Sequence, residues 1–294
     1  MSAPPRAETP VQGAAEQGLT DAVLATFRDA GDARFRQIMS SLVEHLHTFV
    51  RDTELTEAEW FAAIRFLTAT GQKCDDKRQE YILLSDTLGV SMLVDAINHR
   101  KPDGATETTV FGPFYLPGSA SLPMWSDIAN GCAGEPCYIS GSVLDVRGRP
   151  IAGAMLDIWQ TDGEGWYDVQ KPDAAFARGK LTTDAEGRFG FRTVKPVSYP
   201  IPTDGPVGVM LGAMGRHPYR PAHVHAIVSA PGYQAVTTHV FVAGDPYLGS
   251  DAVFGVKDSL ITAFTAHPAG TAPDGKPCAV PFHTAQYQFR LVGE

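Results

Sequence analysis

The stretch HVHAIVSAPGYQAVTTHVFV, residues 223–242, decides the fold of this chain. Its two halves, His223–Ser229 and Ala235–Val242, are rich in β-branched and apolar residues. A Pro-Gly turn lies between them, and two strand-like runs around such a turn predict a β-hairpin.

Alternation along the first of these strands separates two sets of side chains. Successive residues of a strand point to opposite faces, so one face carries the apolar residues Val224, Ala226 and Val228. His223 and His225 then project together from the other face, with Cα atoms ~7 Å apart at a rise of ~3.4 Å per residue. Two imidazoles in this arrangement can reach a single metal ion.

The chain beyond Pro102 repeats this pattern of short strands and Gly- or Pro-containing turns. A final strand is predicted at Tyr287–Val292, together with two further hairpins. They pair Cys137–Val146 with Ile151–Trp159, and Lys180–Thr183 with Arg188–Val194. Many short strands of this kind favour an antiparallel β-sandwich with functional residues on its loops.

Before residue 102 the apolar residues recur at helical spacing. This spacing predicts helices at Thr20–Ala30, Ala33–Arg51, Thr56–Thr70 and Asp75–Arg100. Thr56 and Glu59 fit a capping box at the start of the third helix. The expected class is α+β: a loose arm over residues 1–17, a helical domain over 18–104 and a β-sandwich domain over 105–294.

Composition excludes several classes of function. The 294 residues carry a formal charge of −9, which disfavours nucleic acid and anionic membranes as partners. No apolar run approaches the ~20 residues of a membrane span, and no secretion signal is evident, so a cytoplasmic protein is expected. The four cysteines, including Cys132 and Cys137, fit neither a zinc signature nor a disulfide framework, and free thiols are expected.

Two tyrosines complete a candidate metal site with the two histidines. Tyr167 follows a Gly-rich run and Tyr199 lies between prolines, so both phenols can leave the sheet. Two phenolates and two imidazoles offer hard O and N donors, which suit trivalent iron better than Zn²⁺, Cu(I) or Mg²⁺. A trivalent cation also lowers the usual tyrosine pKa of ~10 by stabilising phenolate. Incidental core or surface positions are the alternative for these side chains.

Several motifs taken together resemble the intradiol aromatic-ring-cleavage dioxygenases, most closely their hydroxyquinol 1,2-dioxygenase branch. These motifs are Val110–Tyr115, Asp157–Gln160, Gly165–Tyr167, Gly187–Phe189 and Arg220–His225. The similarity covers nearly all of the chain after the arm, including the helical domain. It implies one non-haem Fe(III) per subunit, and the implied ligands are Tyr167, Tyr199, His223 and His225.

The same resemblance implies a reaction. An ortho-diphenol binds as a dianion and O₂ breaks the bond between its two hydroxylated carbons. Hydroxyquinol, 1,2,4-trihydroxybenzene, would give maleylacetate. We assign the departing, proton-accepting role to Tyr199, since its Pro-flanked loop stands apart from the sheet, and keep Tyr167 bound. Arg220 matches the family's active-site arginine, which is expected to stabilise charge developing on the ring. A solvated or ion-paired surface arginine is the alternative.

The resemblance also implies a substrate pocket. Its expected members are Leu83, Asp86, Val110, Phe111, Gly112, Pro113, Ile201, Pro202, Arg220, His239 and Val253. His239 stands where catechol-cleaving relatives usually carry Gln, which points to the hydroxyquinol branch; a structural histidine is the alternative. A buried Asp86 can accept a hydrogen bond from a third ring hydroxyl and so penalise catechol, or it can cap a helix N-terminus.

Two other functions remain open at this stage. One is a catechol or chlorocatechol 1,2-dioxygenase that forms cis,cis-muconates, and the other is a metal-free β-sandwich that binds a ligand. By resemblance, the N-terminal helices are expected to form a homodimer contact, with a phospholipid as a further candidate in that interface. The amphipathic helices themselves require a partner surface.

Overall fold

Helices form where the apolar residues recur at three-to-four spacing. The computed structural model describes residues 10–76, 78–171 and 175–294, and the side chains from residue 15 onward; positions 1–9 of the expected arm lie outside these ranges. Five helices precede the strands and one lies among them. They are α1 (Pro10–Ala25), α2 (Ala33–Asp52), α3 (Glu57–Gln72), α4 (Glu80–Thr87), α5 (Val90–Asn98) and α6 (Pro206–Ala213).

Local sequence signals explain most of the helix ends. The Asp32 carboxylate accepts hydrogen bonds from two backbone N–H groups at the start of α2. The capping box at α3 is confirmed, because Glu59 accepts from the Thr56 N–H and Thr56 accepts from the Glu59 N–H. Helix α1 begins at Pro10, so the described part of the expected arm is helical.

The single helix predicted over Asp75–Arg100 is wrong. The structure has two shorter helices there, α4 and α5, separated at Leu88 and Gly89. Gly89 has a φ of 74°, a left-handed conformation that ends a helix and that glycine adopts without steric cost. The apolar periodicity runs across this break and therefore conceals it.

The contacts divide the chain into two compact units, one ending at Thr68 and one covering Ala69–Glu294. Helices α4 and α5 thus belong to the strand-rich unit. Leu83 of α4 and Met92 of α5 pack against the buried side chains of Val110 and Val253. These two helices therefore share an apolar cluster with the loops that follow them.

Thirteen strands are present among the described residues. They are β1 (Pro136–Asp145), β2 (Met155–Gln160), β3 (Arg178–Thr182), β4 (Arg188–Val194), β5 (Tyr199–Pro200), β6 (Tyr219–Arg220), β7 (His223–Ser229), β8 (Val236–Val242), β9 (Ile261–Thr262), β10 (Phe264–His267), β11 (Gly270–Thr271), β12 (Pro277–Cys278) and β13 (Phe282–Leu291). One sheet has the order β10-β13-β1-β4 and a second the order β3-β2-β7-β8-β9; β5 pairs with β6, and β11 with β12. Pairing is antiparallel except between β1 and β13 and between β8 and β9.

The expected β-sandwich is present, and its core lies between the two large sheets. Buried side chains of β1, β4 and β13 form one apolar cluster with those of β2, β3, β7 and β8. The three residues that alternation assigns to the core face, Val224, Ala226 and Val228, belong to this cluster. That prediction is confirmed, and it leaves the other face of β7 to the histidines.

Of the three predicted hairpins, only β7–β8 is one. The segments before and after residues 147–150 lie in different sheets, and so do β3 and β4. Asp145 does form a turn, but pairing ends after the Leu144–Pro150 bridge. Gly153, with a φ of 72°, turns the chain away, and its N–H donates to the Thr183 carbonyl beside β3. A turn signal alone does not distinguish a hairpin from a crossing between sheets.

Two further features concern membrane spans and cysteines. No helix within the described residues is long and apolar enough to cross a bilayer. All four cysteines, Cys74, Cys132, Cys137 and Cys278, are free thiols, as the sequence predicts.

The register between β1 and β13 generates a stability prediction at Gly141. A Cβ at this position would overlap the carbonyl oxygen of Tyr287, its neighbour on β13. We expect Gly141→Ala to lower the free energy of unfolding by about 3 kcal/mol or more, measured by urea denaturation. The control, Gly212→Ala in α6, has open space and should raise it by roughly 0.5–1 kcal/mol. Wild-type stability in Gly141→Ala would contradict the β1–β13 register.

Candidate metal centre

Three segments of the strand-rich unit bring the two tyrosines and two histidines together. His223 and His225 lie on β7, and Tyr199 lies on β5 directly opposite Arg220 of β6. Tyr167 caps a short 3-10 helix that begins at Asp168. All four candidate ligands are buried, so none of them faces solvent.

The four candidate donor atoms meet within a few ångströms. Tyr167 Oη lies 3.1 Å from Tyr199 Oη, 2.9 Å from His225 Nε2 and 3.5 Å from His223 Nε2. The two Nε2 atoms are 3.1 Å apart. Atoms that bind one cation at ~2 Å are separated by ~3 Å, so these spacings fit a shared ion.

Neighbouring groups orient each imidazole. His223 Nδ1 lies 2.7 Å from the Pro221 carbonyl oxygen and donates to it, so Nε2 keeps its lone pair toward the tyrosines. The His225 ring instead stacks on Trp159, with ring centroids 4.6 Å apart and planes inclined by 12°. Gly112 packs against the same ring, because a Cβ there would lie 3.1 Å from His225 Cε1.

Tyr167 is also firmly placed. Phe114 stacks on its ring with a centroid distance of 4.5 Å, and Gln170 Oε1 accepts a hydrogen bond from its backbone N–H. The next residue, Asp168, pairs with Arg178 at 2.6 Å. Arg178 in turn donates to the Phe114 carbonyl. The Arg178–Asp168 ion pair therefore holds both Phe114, whose ring stacks on Tyr167, and the residue that follows Tyr167 in the chain.

Burial sets the charge state of these groups. It raises the pKa of Tyr167 well above 10, and Tyr199 adds to this effect. It lowers the pKa of His223 to about 3, with Arg220 acting in the same direction, and that of His225 well below 6.5. Neutral imidazoles are ready to bind a metal, whereas a buried phenol ionises only beside a strong positive charge. This donor set fits a highly charged cation.

Arg220 lies beside the candidate ligands with only 3% of its surface exposed. Its Nε and Nη2 reach the two carboxylate oxygens of Asp251 at 3.2 and 3.4 Å. Its Nη1 lies 3.4 Å from His223 Nε2. The surface-residue alternative is therefore wrong for Arg220, although the guanidinium is ion-paired.

His239 is fully buried and lies opposite His225 on β8. Its ring nitrogens and those of His223 and His225 form a group whose ligand atoms lie within 4.8 Å of one another. Its Nδ1 lies 3.4 Å from Arg220 Nη2, and burial lowers its pKa well below 6.5. Among the described hydrogen bonds the Tyr167 oxygen reaches His223 and His225 but not His239, so the geometry favours His239 as a neighbour of Arg220.

Four of the eleven expected pocket residues lie together in one apolar cluster. This cluster contains Leu83, Val110, Ile201 and Val253, together with Met92, Leu211 and Ala252. Phe111 is 46% exposed, and its ring packs against Tyr115 and Trp159. Pro113 is exposed and Pro202 is half-buried.

Asp86 is a buried carboxyl near the C-terminal end of α4, with 6% of its surface exposed. The alternative role as a helix N-cap is wrong, because Gly89 occupies the N-cap of α5. Burial raises the pKa of Asp86, while a hydrogen bond with Ser91 and the charge of Arg220 act against this rise. A buried carboxyl is costly without a hydrogen bond, so Asp86 favours a ligand that can donate one.

Several residues of the site have no sequence prediction. Asp251 is one, although its bonds to the Val253 and Gly255 N–H groups follow the usual habit of Asp in turns. Trp159 and Phe114 are others, and both occur in the quoted motifs without an assigned role. Their contacts depend on tertiary placement, which periodicity does not reveal.

Comparison with known proteins places these features in a family. A family model described as "Dioxygenase" matches residues 111–293, and one described as "Catechol dioxygenase N terminus" matches residues 32–106. A 6-chlorohydroxyquinol 1,2-dioxygenase of Cupriavidus pinatubonensis is 55% identical over 87% of this chain and 94% of its own length.

Solved structures agree with these matches. The crystal structure of a hydroxyquinol 1,2-dioxygenase from Pseudomonas putida has a TM-score of 0.91 and 52% identity, covering 96% of this chain and all of that one. The catechol 1,2-dioxygenase from Pseudomonas arvilla has a TM-score of 0.81 and 29% identity, covering 94% and 91%. The similarity is thus higher to the hydroxyquinol enzyme.

The buried histidines generate a pH prediction for the metal-free protein. Their pKa values are lowered on folding, so below pH ~6.5 the unfolded chain binds more protons than the folded one. The free energy of unfolding should therefore fall as the pH drops from ~6.5 toward 5, by about 1.4 kcal/mol per pH unit for each fully buried histidine. Urea denaturation of chelator-treated protein measures this slope, and His239→Gln should reduce it by one histidine's share. An unchanged slope in the variant would contradict a neutral buried His239.

Proposed function

The chain belongs to the intradiol ring-cleavage dioxygenase family, and on this basis we propose that it cleaves hydroxyquinol with O₂. The bond broken joins the two adjacent hydroxylated carbons, both oxygen atoms enter the product, and the product is maleylacetate. The observation that carries the proposal is the buried convergence of two tyrosine oxygens and two imidazole nitrogens beside Arg220. The alternative, a metal-free binding module with incidental tyrosines and histidines, does not explain why these four side chains are buried and converge.

The proposed cofactor is one Fe(III) per subunit. Tyr167, Tyr199, His223 and His225 would hold it, because their donor atoms converge and because phenolate requires a strong cation. When bound, Fe(III) acts as a Lewis acid that favours the doubly deprotonated form of the diphenol and draws electron density from it.

The two tyrosines take different parts in this proposal. Tyr199 lies on a strand of only two residues, so little main-chain pairing opposes its movement. Its Oη is the group that accepts a proton from a substrate hydroxyl. Tyr167 stays in place, because the Phe114 ring stacks on it and Gln170 bonds its backbone.

Three further features of the site act on the reacting ring. The Arg220 guanidinium supplies positive charge in a buried setting, where it stabilises negative charge on the ring most effectively. The apolar cluster that contains Leu83, Ile201 and Val253 excludes water from the ring. Asp86 accepts a hydrogen bond from the third hydroxyl of hydroxyquinol, which catechol lacks.

The assembly is the final part of the proposal. In α2, whose residues are all described, none is buried, and a stripe that includes Phe35, Leu42 and Phe49 is exposed. Such a stripe needs a partner, and we propose a homodimer through the N-terminal helices with a phospholipid chain in the interface. The four free thiols suit the reducing cytoplasm, where we place the enzyme.

The different roles of the tyrosines generate a paired prediction. Tyr167→Phe should lose bound iron and the visible tyrosinate-to-Fe(III) band, because its phenolate is a permanent ligand. Tyr199→Phe should keep iron while kcat falls by about 10²-fold or more, since the proton acceptor is lost. Tyr138→Phe removes a buried phenol outside this site and is the matched control. Metal analysis, absorption spectra and turnover are the measurements, and full activity in both site variants would overturn the ligand assignment.

Substrate choice supplies the direct test of the proposed function. We expect kcat/KM for hydroxyquinol to exceed that for catechol by about 100-fold or more in the wild type. Asp86→Leu should narrow this ratio by about ten-fold or more, because the buried acceptor for the third hydroxyl is gone. A wild-type preference for catechol would overturn the proposed substrate. An unchanged ratio in Asp86→Leu would overturn only the role of Asp86.

A further inference from the structure

Asp251 is a buried carboxylate to which the reaction outlined above assigns no role. Only 5% of its surface is exposed, and four N–H groups point at it. Arg220 Nε and Nη2 lie 3.2 and 3.4 Å away, and the backbone N–H groups of Val253 and Gly255 lie 3.3 and 2.9 Å away. The carboxylate oxygens of Asp251 thus accept hydrogen bonds from the Arg220 side chain and from the backbone of their own turn.

The two contacts with Arg220 fix the orientation of the guanidinium. A planar group held at Nε and Nη2 by two carboxylate oxygens cannot rotate about its long axis. The third nitrogen, Nη1, is therefore directed away from Asp251, and it lies 3.4 Å from His223 Nε2. Asp251 thus determines which nitrogen faces the candidate metal ligands.

Close packing leaves this ion pair little room. A Cβ at Gly255 would lie 3.0 Å from Arg220 Nη2 and 3.2 Å from Asp251 Oδ2. The Thr109 hydroxyl donates to the Gly255 carbonyl at 2.9 Å and so fixes the turn from its other side. The Asp251 carboxylate is therefore held in a fixed position by the backbone of its own turn.

Charge balance gives Asp251 a second effect. Arg220 lies within 3.4 Å of ring nitrogens of His223 and His239, and in the described part of the chain Asp251 forms an ion pair with it. Without this partner, an uncompensated guanidinium would be free to move toward other acceptors. Val253, an expected pocket residue, is bonded to the same carboxylate, so the pocket wall and the guanidinium share one anchor.

We propose that Asp251 is a positioning residue that aims the Arg220 guanidinium at the reacting ring. This inference rests on the proposed function, because Arg220 is taken to stabilise charge on the substrate. Asp251 itself touches no substrate and takes part in no proton transfer. Its effect on kcat is expected to pass through Arg220.

A double-mutant cycle tests this dependence on holoenzyme. We expect Asp251→Asn to lower kcat by about ten-fold or more and Arg220→Gln by about 100-fold, with smaller changes in KM. The double variant should match Arg220→Gln to within about three-fold, because Asp251 has nothing left to position. Iron content and the visible band should persist in all three variants. Multiplicative losses in the double variant, or wild-type kcat in Asp251→Asn, would overturn the inference.

Two further variants keep the test decisive. Asp145→Asn is the control, because Asp145 is also buried and also accepts from two backbone N–H groups and an arginine Nε, outside the site; its kcat should equal the wild-type value. If Asp251→Asn does not fold by circular dichroism, Asp251→Glu replaces it in the cycle, since it keeps the charge but displaces it by one methylene. Failure of the wild type to cleave hydroxyquinol would overturn the proposed function alone, because the cycle can be run on any diphenol that turns over.

Discussion

Four buried donor atoms at mutual distances of about 3 Å are the constraint on which the site depends. In the neutral protein the single hydroxyl proton of Tyr167 cannot serve both the Tyr199 oxygen and His225 Nε2, so some lone pairs face one another without a proton between them. A cation of high charge reverses the balance, since it attracts each lone pair and stabilises phenolate. The pKa values of His223 and His225 are lowered and that of Tyr167 is raised, so all three side chains are neutral in the metal-free protein. A bound cation of high charge is needed to ionise the phenol.

The β-sandwich makes this convergence possible by giving β7 two different faces. One face packs Val224, Ala226 and Val228 into the core, and the other carries the two histidines. Trp159 on β2 and His239 on β8 flank His225 across the same sheet. The tyrosines come from segments outside this sheet, so the rigid strand supplies nitrogen donors and the loops supply the oxygen donors.

Some of this arrangement follows from sequence alone. Alternation places His223 and His225 on one face, and the helical spacing predicts most of the N-terminal helices. The approach of Tyr167 and Tyr199 to those histidines does not follow from periodicity, because it depends on how loops cross between sheets; family resemblance supplied it. The same limit explains the two wrong hairpins, since the partner of β1 lies at the far end of the chain in β13. Asp251 was missed because a turn aspartate looks the same in sequence whether or not an arginine lies behind it.

Anomalous diffraction at the iron absorption edge, on crystals of the iron-loaded protein, tests the central claim most directly. The account predicts one strong peak per subunit, bonded to Tyr167 Oη, Tyr199 Oη, His223 Nε2 and His225 Nε2. A peak bonded to His239 in place of the tyrosines, or iron found only outside this cluster, would contradict it.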